Sequence, residues 1–250
     1  MFTGAGGGAL FYEIPRWWPA ADYLKNQGLD AGFAAAAIDA ARLGNVSVWR
    51  AVSLALKERV RPDLAARSSR GPAALLAPGI LQDQIEQNSF AHPALRGANQ
   101  LPIGKYMQTV ALMHPVGYYD PFEQAAAPEL VHPLFSQPLV ELSLRLPSYV
   151  LTQGDHGRAL ARRAFASDLP PQIVNRCSKG GMEEHIKAVL HANIDFVRGM
   201  LLEGELNRRG MLARAKVEEL LSGRPTALPG LVSQIHGLVA VEAWLSRWTR

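Results

Sequence analysis

EEHIKAVLHANIDFVRGMLLEGEL, residues 183–206, sets the architecture to expect. Ile186, Val189, Leu190, Ile194, Val197 and Leu201 recur at helical spacings, which brings them onto one face of an amphipathic helix. Working outward, residues 212–221 predict a short helix closed by Gly223. Residues 233–248 predict another, with Ile235, Leu238, Val241, Leu245 and Trp248 on one stripe.

Upstream the pattern stays helical. Residues 156–167 and 138–146 read as helices, the second capped by Ser136 and turning Leu139, Leu142 and Leu146 toward the core. A short helix is expected near 104–114, and one over 72–87 interrupted by Pro78-Gly79. SVWRAVSLALKER, residues 47–59, starts at a capping serine, Ser47. Residues 20–43 read as helix with a break at Gly28. The intervening 88–135 is punctuated by prolines and reads as largely loop. No alternating strand pattern follows residue 12, so a mainly α fold is expected.

The 250 residues are 48% apolar and 19% charged, which excludes a disordered chain. A single cysteine, Cys177, excludes an internal disulfide framework and a thiolate-rich zinc site; it reads as a small residue beside Lys179. No apolar run is long enough to span a bilayer, and the opening residues carry no readable secretory signal. A cytoplasmic location with no membrane partner is therefore expected. The net charge is only +4, and the basic residues gather in 158–179 rather than along a helix stripe. Nucleic acid is not the expected partner. A local cationic patch also suits a phosphorylated small ligand.

Two segments could carry that chemistry. In Thr3-Gly4-Ala5-Gly6-Gly7-Gly8-Ala9, backbone N–H groups free of side chains can converge on phosphate oxygens. The spacing is neither a Walker A nor a dinucleotide fingerprint, and a flexible N-terminal turn is the plain alternative. Downstream, Arg158 and Arg162 stand four apart and are expected to share a helix face, where an anion would screen them. Lys179 precedes Gly180-Gly181 on a segment able to close on a ligand, and its ammonium suits charge developing on a phosphate leaving group. The plain alternative is a solvated basic face and a loop lysine. His92, His114 and His132 each precede proline, and no histidine pair has metal-ligand spacing, so no metal site is expected from the residues.

In order along the chain, these segments resemble the C-terminal half of the synthetase domain of the asparagine synthetase family, closest to its lasso-peptide macrolactam cyclase branch. Residues 3–11, TGAGGGALF, are similar to the family's Ser-Gly-x-Gly-Gly-Asp-x-x-Phe loop. Residues 133–141, PLFSQPLVE, resemble its Pro-Phe-Leu-Asp-x-x-Leu-Val-Glu segment, and the Ser136-Gln137-Pro138 form is the one associated with the cyclases. Residues 155–164, DHGRALARRA, are similar to its Gly-x-x-Lys-x-x-Leu-Arg-x-Ala helix. Residues 169–176, LPPQIVNR, with 178–181, SKGG, resemble its Leu-Pro-x-x-Ile/Val-x-x-Arg…Lys-x-Gly stretch.

The resemblance implies one domain over 1–250. Residues 1–12 would be a residual nucleotide-loop segment, 13–131 a helical and loop-rich region, and 132–250 a helical region with the Lys179 loop. The fold implied is mainly α: the helical C-terminal part of an α/β, ATP-pyrophosphatase-like synthetase domain with most of the sheet missing. The activity implied is ATP-dependent adenylation of a carboxylate followed by attack of an amine, giving either asparagine or a peptide macrolactam. Lys179 aligns with the catalytic lysine. Gly4, Gly6 and Gly7 align with the loop flanking the nucleotide, and Arg158 stands where a lysine is usual. ATP and Mg²⁺ are the implied cofactors, with a carboxylate or peptide as substrate.

Departures qualify what is implied. The 250 residues contain no Ser-Gly-Gly-x-Asp-Ser pyrophosphate loop and no glutamine-hydrolysing domain. Gly8 replaces the loop aspartate, a metal ligand, Ala9 replaces the adjoining acid, and Ser136 replaces a second aspartate. These gaps lead to the expectation of an N-terminally truncated member that does not form amides by itself. The alternative expectation is a non-catalytic helical partner that binds a leader peptide or another subunit.

Overall fold

Helix is the only repeating secondary structure among the described residues, as the apolar spacing predicts. The computed structural model describes residues 1–60, 75–80, 98–113, 130–154, 156–176, 183–222 and 231–248. The chain divides into two compact units: Met1–Arg67 with His92–Ser178, and Ser68–Ala91 with Lys179–Arg250.

The first unit opens with α1 (Gly7–Leu10), α2 (Trp18–Asn26), α3 (Ala31–Leu43) and α4 (Val48–Val60). Asp30 caps α3 by accepting the Phe33 amide at 3.0 Å, and Ser47 caps α4 by accepting the Arg50 amide at 3.2 Å. Gly28, at φ +88°, separates α2 from α3 where the sequence predicts the break. Ala20, Ala21, Ala37, Ala40 and Ala55 line the contacts of α2, α3 and α4, and their small side chains let the backbones approach closely around Leu24, Phe33 and Ile103.

The unit continues with α5 (Ile103–Leu112), a 3₁₀ turn at Pro133–Phe135, α6 (Gln137–Arg145), α7 (Ser148–Leu151), α8 (Ala159–Ala164) and α9 (Pro171–Val174). The expected core face of α6 is corrected here. Leu139 and Leu142 are exposed and Ser143 is buried, because Ser143 answers a carbonyl of α1. Ser136 occupies the cap position of α6 without a side-chain capping bond. The helix expected over 156–167 is trimmed at both ends: Arg158 adopts a left-handed conformation, φ +61°, immediately before α8, and residues 165–168 form turns.

The second unit holds α10 (Glu183–Ala192), α11 (Ile194–Leu202), α12 (Glu205–Arg208), α13 (Arg214–Leu221) and α14 (Leu231–Trp248). The continuous helix expected over 183–206 is broken at Asn193, whose Nδ2 turns back to donate to the Val189 carbonyl at 2.8 Å. Leu75, Val197, Leu201, Leu206, Val217 and Ile235 form part of the core. Val189, Val241 and Trp248 lie outside it, exposed. Glu242 is buried and caps α12, accepting the Glu205 amide at 2.6 Å and the Leu206 amide at 2.8 Å. The described part of the predicted 72–87 helix, residues 75–80, is a turn with Gly79 at φ +93°. The rest of that prediction and Gly223 lie outside the described residues.

Candidate functional site

The glycine turn is built from backbone first. Thr3 donates its amide to the Val131 carbonyl at 3.0 Å, and Val131 returns its amide to the Met1 carbonyl at 2.9 Å, a short parallel bridge. The Thr3 hydroxyl lies 2.5 Å from His132 Nδ1 and accepts the Ala5 amide at 3.3 Å. The chain then turns at Gly6, φ +83°, and enters α1 at Gly7.

Two of the glycines lie tight against neighbours, Gly6 the more constrained because it is also left-handed. A Cβ on Gly6 would lie 2.7 Å from the Phe135 ring, and one on Gly7 would lie 2.9 Å from Leu134 Cδ1. Gly4 differs, because a Cβ there would meet nothing within 4 Å. Residues 3–7 and 132–135, distant in sequence, thus pack directly on each other.

Arg158 reaches the exit of this turn. Its Nη2 pairs with the Glu13 carboxylate, and the Glu13 amide donates to the Gly8 carbonyl at 2.7 Å. The expectation that Arg158 and Arg162 share a helix face is corrected, since Arg158 precedes α8 in the left-handed region. Arg162 works elsewhere: Nε donates to the Gly157 carbonyl at 3.1 Å, and Nη1 donates to the carbonyls of Ile173 at 2.9 Å and Val174 at 2.8 Å. It ties the segment before α8 to the last turn of α9.

Behind the turn lies a buried polar cluster that motif reading missed. Asp22 accepts the amides of Gly104 at 2.8 Å and Lys105 at 3.1 Å, and the Ser148 hydroxyl at 2.5 Å. Burial pushes its carboxyl up to about 6, against the pull of those hydrogen bonds and of the Lys105 charge. Burial likewise lowers Lys105 to about 8, opposed by Asp22. Burial, then the charge of Asp22, raise the Tyr12 hydroxyl well above the usual tyrosine value. A Cβ on Gly104 would lie 2.5 Å from Asp22 Oδ2 and 2.6 Å from Tyr12 Oη, so glycine is needed there. The available signal was two strongly polar residues, Lys105 and Gln108, three apart on a largely apolar helix.

Of the sequence-predicted site residues, Gly4, Gly6 and Gly7 share one turn, and Arg158 joins it through Glu13. Lys179 and Cys177 lie outside the described residues. Position 8 is glycine, Glu13 is engaged by Arg158, and among the described residues no three His, Cys, Asp or Glu side chains converge. Among the described residues no helix is long and apolar enough to cross a membrane.

Curated proteins and solved structures offer no match to the chain. A family model described as asparagine synthase matches residues 1–246, nearly the whole sequence. The chain therefore belongs to the asparagine synthase family of ATP-dependent, amide-forming ligases.

Proposed function

We propose that the chain serves amide-bond formation in which a carboxylate is adenylated and then captured by an amine, and that the product is a peptide macrolactam. A carboxylate oxygen attacks the α-phosphorus of ATP and pyrophosphate leaves. The amine then attacks the acyl carbon, AMP departs, and the amine nitrogen gives up a proton. Negative charge builds on the departing pyrophosphate, and Lys179 is the cation assigned to meet it. Gly4, Gly6 and Gly7 belong to the turn assigned to the nucleotide; Gly4 is its exposed member, while Gly6 and Gly7 are buried against Phe135 and Leu134 and hold its shape. Arg158 supports the same turn, where an anion would compete with Glu13 for its guanidinium. The proposal treats residues 1–250 as one synthetase-like domain.

The observation that carries this reading is the packing of Gly6 and Gly7 on Phe135 and Leu134, which joins two family-like segments that are far apart in sequence. The Ser136-Gln137-Pro138 form favours macrolactam formation over asparagine synthesis, which would use the same adenylation with ammonia as the amine. No pyrophosphate loop occurs within the 250 residues, so the reading expects this chain to bind ATP without exchanging pyrophosphate by itself.

The test is to follow isotope exchange between pyrophosphate and ATP, and ATP binding, for the chain and for Lys179→Ala. Saturable binding weakened by the substitution, with no exchange, agrees with the proposal. Exchange by the chain alone, or binding indifferent to residue 179, contradicts it.

A further inference from the structure

We propose that Gln108, held in one orientation by Lys105, is a positioning residue for the glycine turn. α1 is a four-residue helix, too short to hold itself together. The terminal carbonyls of any helix lack partners within it and must find them elsewhere. Here Gln108 Nε2 donates to the Ala9 carbonyl at 3.1 Å and the Leu10 carbonyl at 3.0 Å, and the Ser143 hydroxyl also donates to the Leu10 carbonyl.

An amide side chain has a donor end and an acceptor end, so its orientation must be set from outside. Lys105 sets it. Its ammonium is donor-only, and it meets Gln108 Oε1 at 2.5 Å. The reversed amide would turn its NH₂ against an ammonium and its oxygen against two carbonyl oxygens. Lys105 is itself fixed, donating to the carbonyls of Ser143 at 2.9 Å and Leu146 at 2.6 Å, so its three protons have three acceptors. Ser143 Oγ closes the ring 2.9 Å from Gln108 Nε2, sharing one of its two protons with the α1 carbonyls. Gln108 is fully buried, and Lys105 and Ser143 nearly so. Buried polar groups linked this completely rigidify what they touch. The relay thus runs from α6 through Lys105 and Gln108 to the end of α1, and it fixes the backbone that the turn presents. The consequence for nucleotide binding rests on the proposed function; the positioning itself does not.

The experiment compares amide hydrogen exchange and ATP binding in the 250-residue chain with those of Gln108→Glu, Gln108→Met, Lys105→Met and the Lys105→Met/Gln108→Met double variant. Gln108→Glu keeps the bond to Lys105 and removes the donors to α1. Exchange at the amides of Phe11, Tyr12 and Glu13 should quicken by about tenfold, the ratio that goes with losing a hydrogen bond, while Ala37, Ala40 and Ala41 in α3 stay unchanged. ATP affinity should fall with it. Lys105→Met should loosen the same amides in the parent and have no further effect in the Gln108→Met background, because the two act as one unit. If Gln108→Glu does not fold, Ser143→Ala, which removes one donor to Leu10, is scored the same way.

Unchanged exchange at residues 11–13, equal acceleration throughout the helices, or a Lys105→Met effect that persists without Gln108 overturns the proposal. A loosened turn with undiminished ATP affinity overturns its functional half. A parent chain that binds no ATP defeats the nucleotide reading instead, and the exchange data still decide the positioning role.

Discussion

Arg158 pairs with Glu13, so one of the two cations that the sequence offers to a nucleotide is already partnered at the exit of the glycine turn. If the guanidinium also serves an anion, Glu13 competes for it. Glu13→Gln should then tighten ATP binding by about two- to five-fold, the scale of a partly exposed ion pair, and Arg158→Ala should weaken it. Calorimetric titration of both variants checks this; equal affinities would remove Arg158 from the site.

Gly6 is constrained twice, by φ +83° and by the Phe135 ring. Gly6→Ala should destabilise the chain by about 2–4 kcal/mol, combining left-handed strain with overpacking. Gly4→Ala should be nearly neutral in the same urea titration. In the Phe135→Ala background the loss at Gly6 should shrink, because the steric part is gone.

Asp22 gives a pH signature. Its carboxyl rises from 3.8 to about 6 on folding, so the folded chain holds that proton more tightly than the unfolded chain. The resulting stabilisation is full below the unfolded value and is lost as pH rises through the folded one. Lys105 and Tyr12 share the site but titrate above this window. Asp22→Asn also weakens the reception of the Lys105 amide and the Ser148 hydroxyl, so it should be less stable than the parent throughout. The gap should narrow by about 2 kcal/mol between pH 4 and pH 7. Urea unfolding of both proteins across that range measures it; a constant gap would refute the assignment.

Arg162 holds three carbonyls with one guanidinium. Arg162→Ala should cost about 1–3 kcal/mol, since those acceptors lose their shared donor. Arg162→Lys should recover only part, because an ammonium lacks the planar fork. Thermal melts of the two variants make the comparison.

What the sequence made legible follows the range of the forces involved. Ser47 as a cap and the break at Gly28 are local, and both are seen in the structure. The helices after residue 130 were legible from apolar spacing, but which residues faced inward was not always so. Leu139 and Leu142 lost the inner face of α6 to Ser143, whose partner, the Leu10 carbonyl, is 133 residues away. Asn193 broke a well-spaced apolar run through a side-chain bond that periodicity does not register. The glycine turn was legible as composition, whereas its contact with Phe135 is tertiary. The Asp22, Lys105 and Gln108 cluster matches no motif, because its logic is burial and mutual satisfaction rather than spacing.

The central claim is that the backbone of the opening glycine turn receives ATP. Gly4 offers a clean probe, since it is exposed and a Cβ there meets nothing within 4 Å. Equilibrium titration of the 250-residue chain with ATP and magnesium, beside Gly4→Val, is the most direct measurement. The account predicts saturable binding by the parent and its loss in the equally stable variant. Absence of saturable binding, or equal affinity in both proteins, would contradict it.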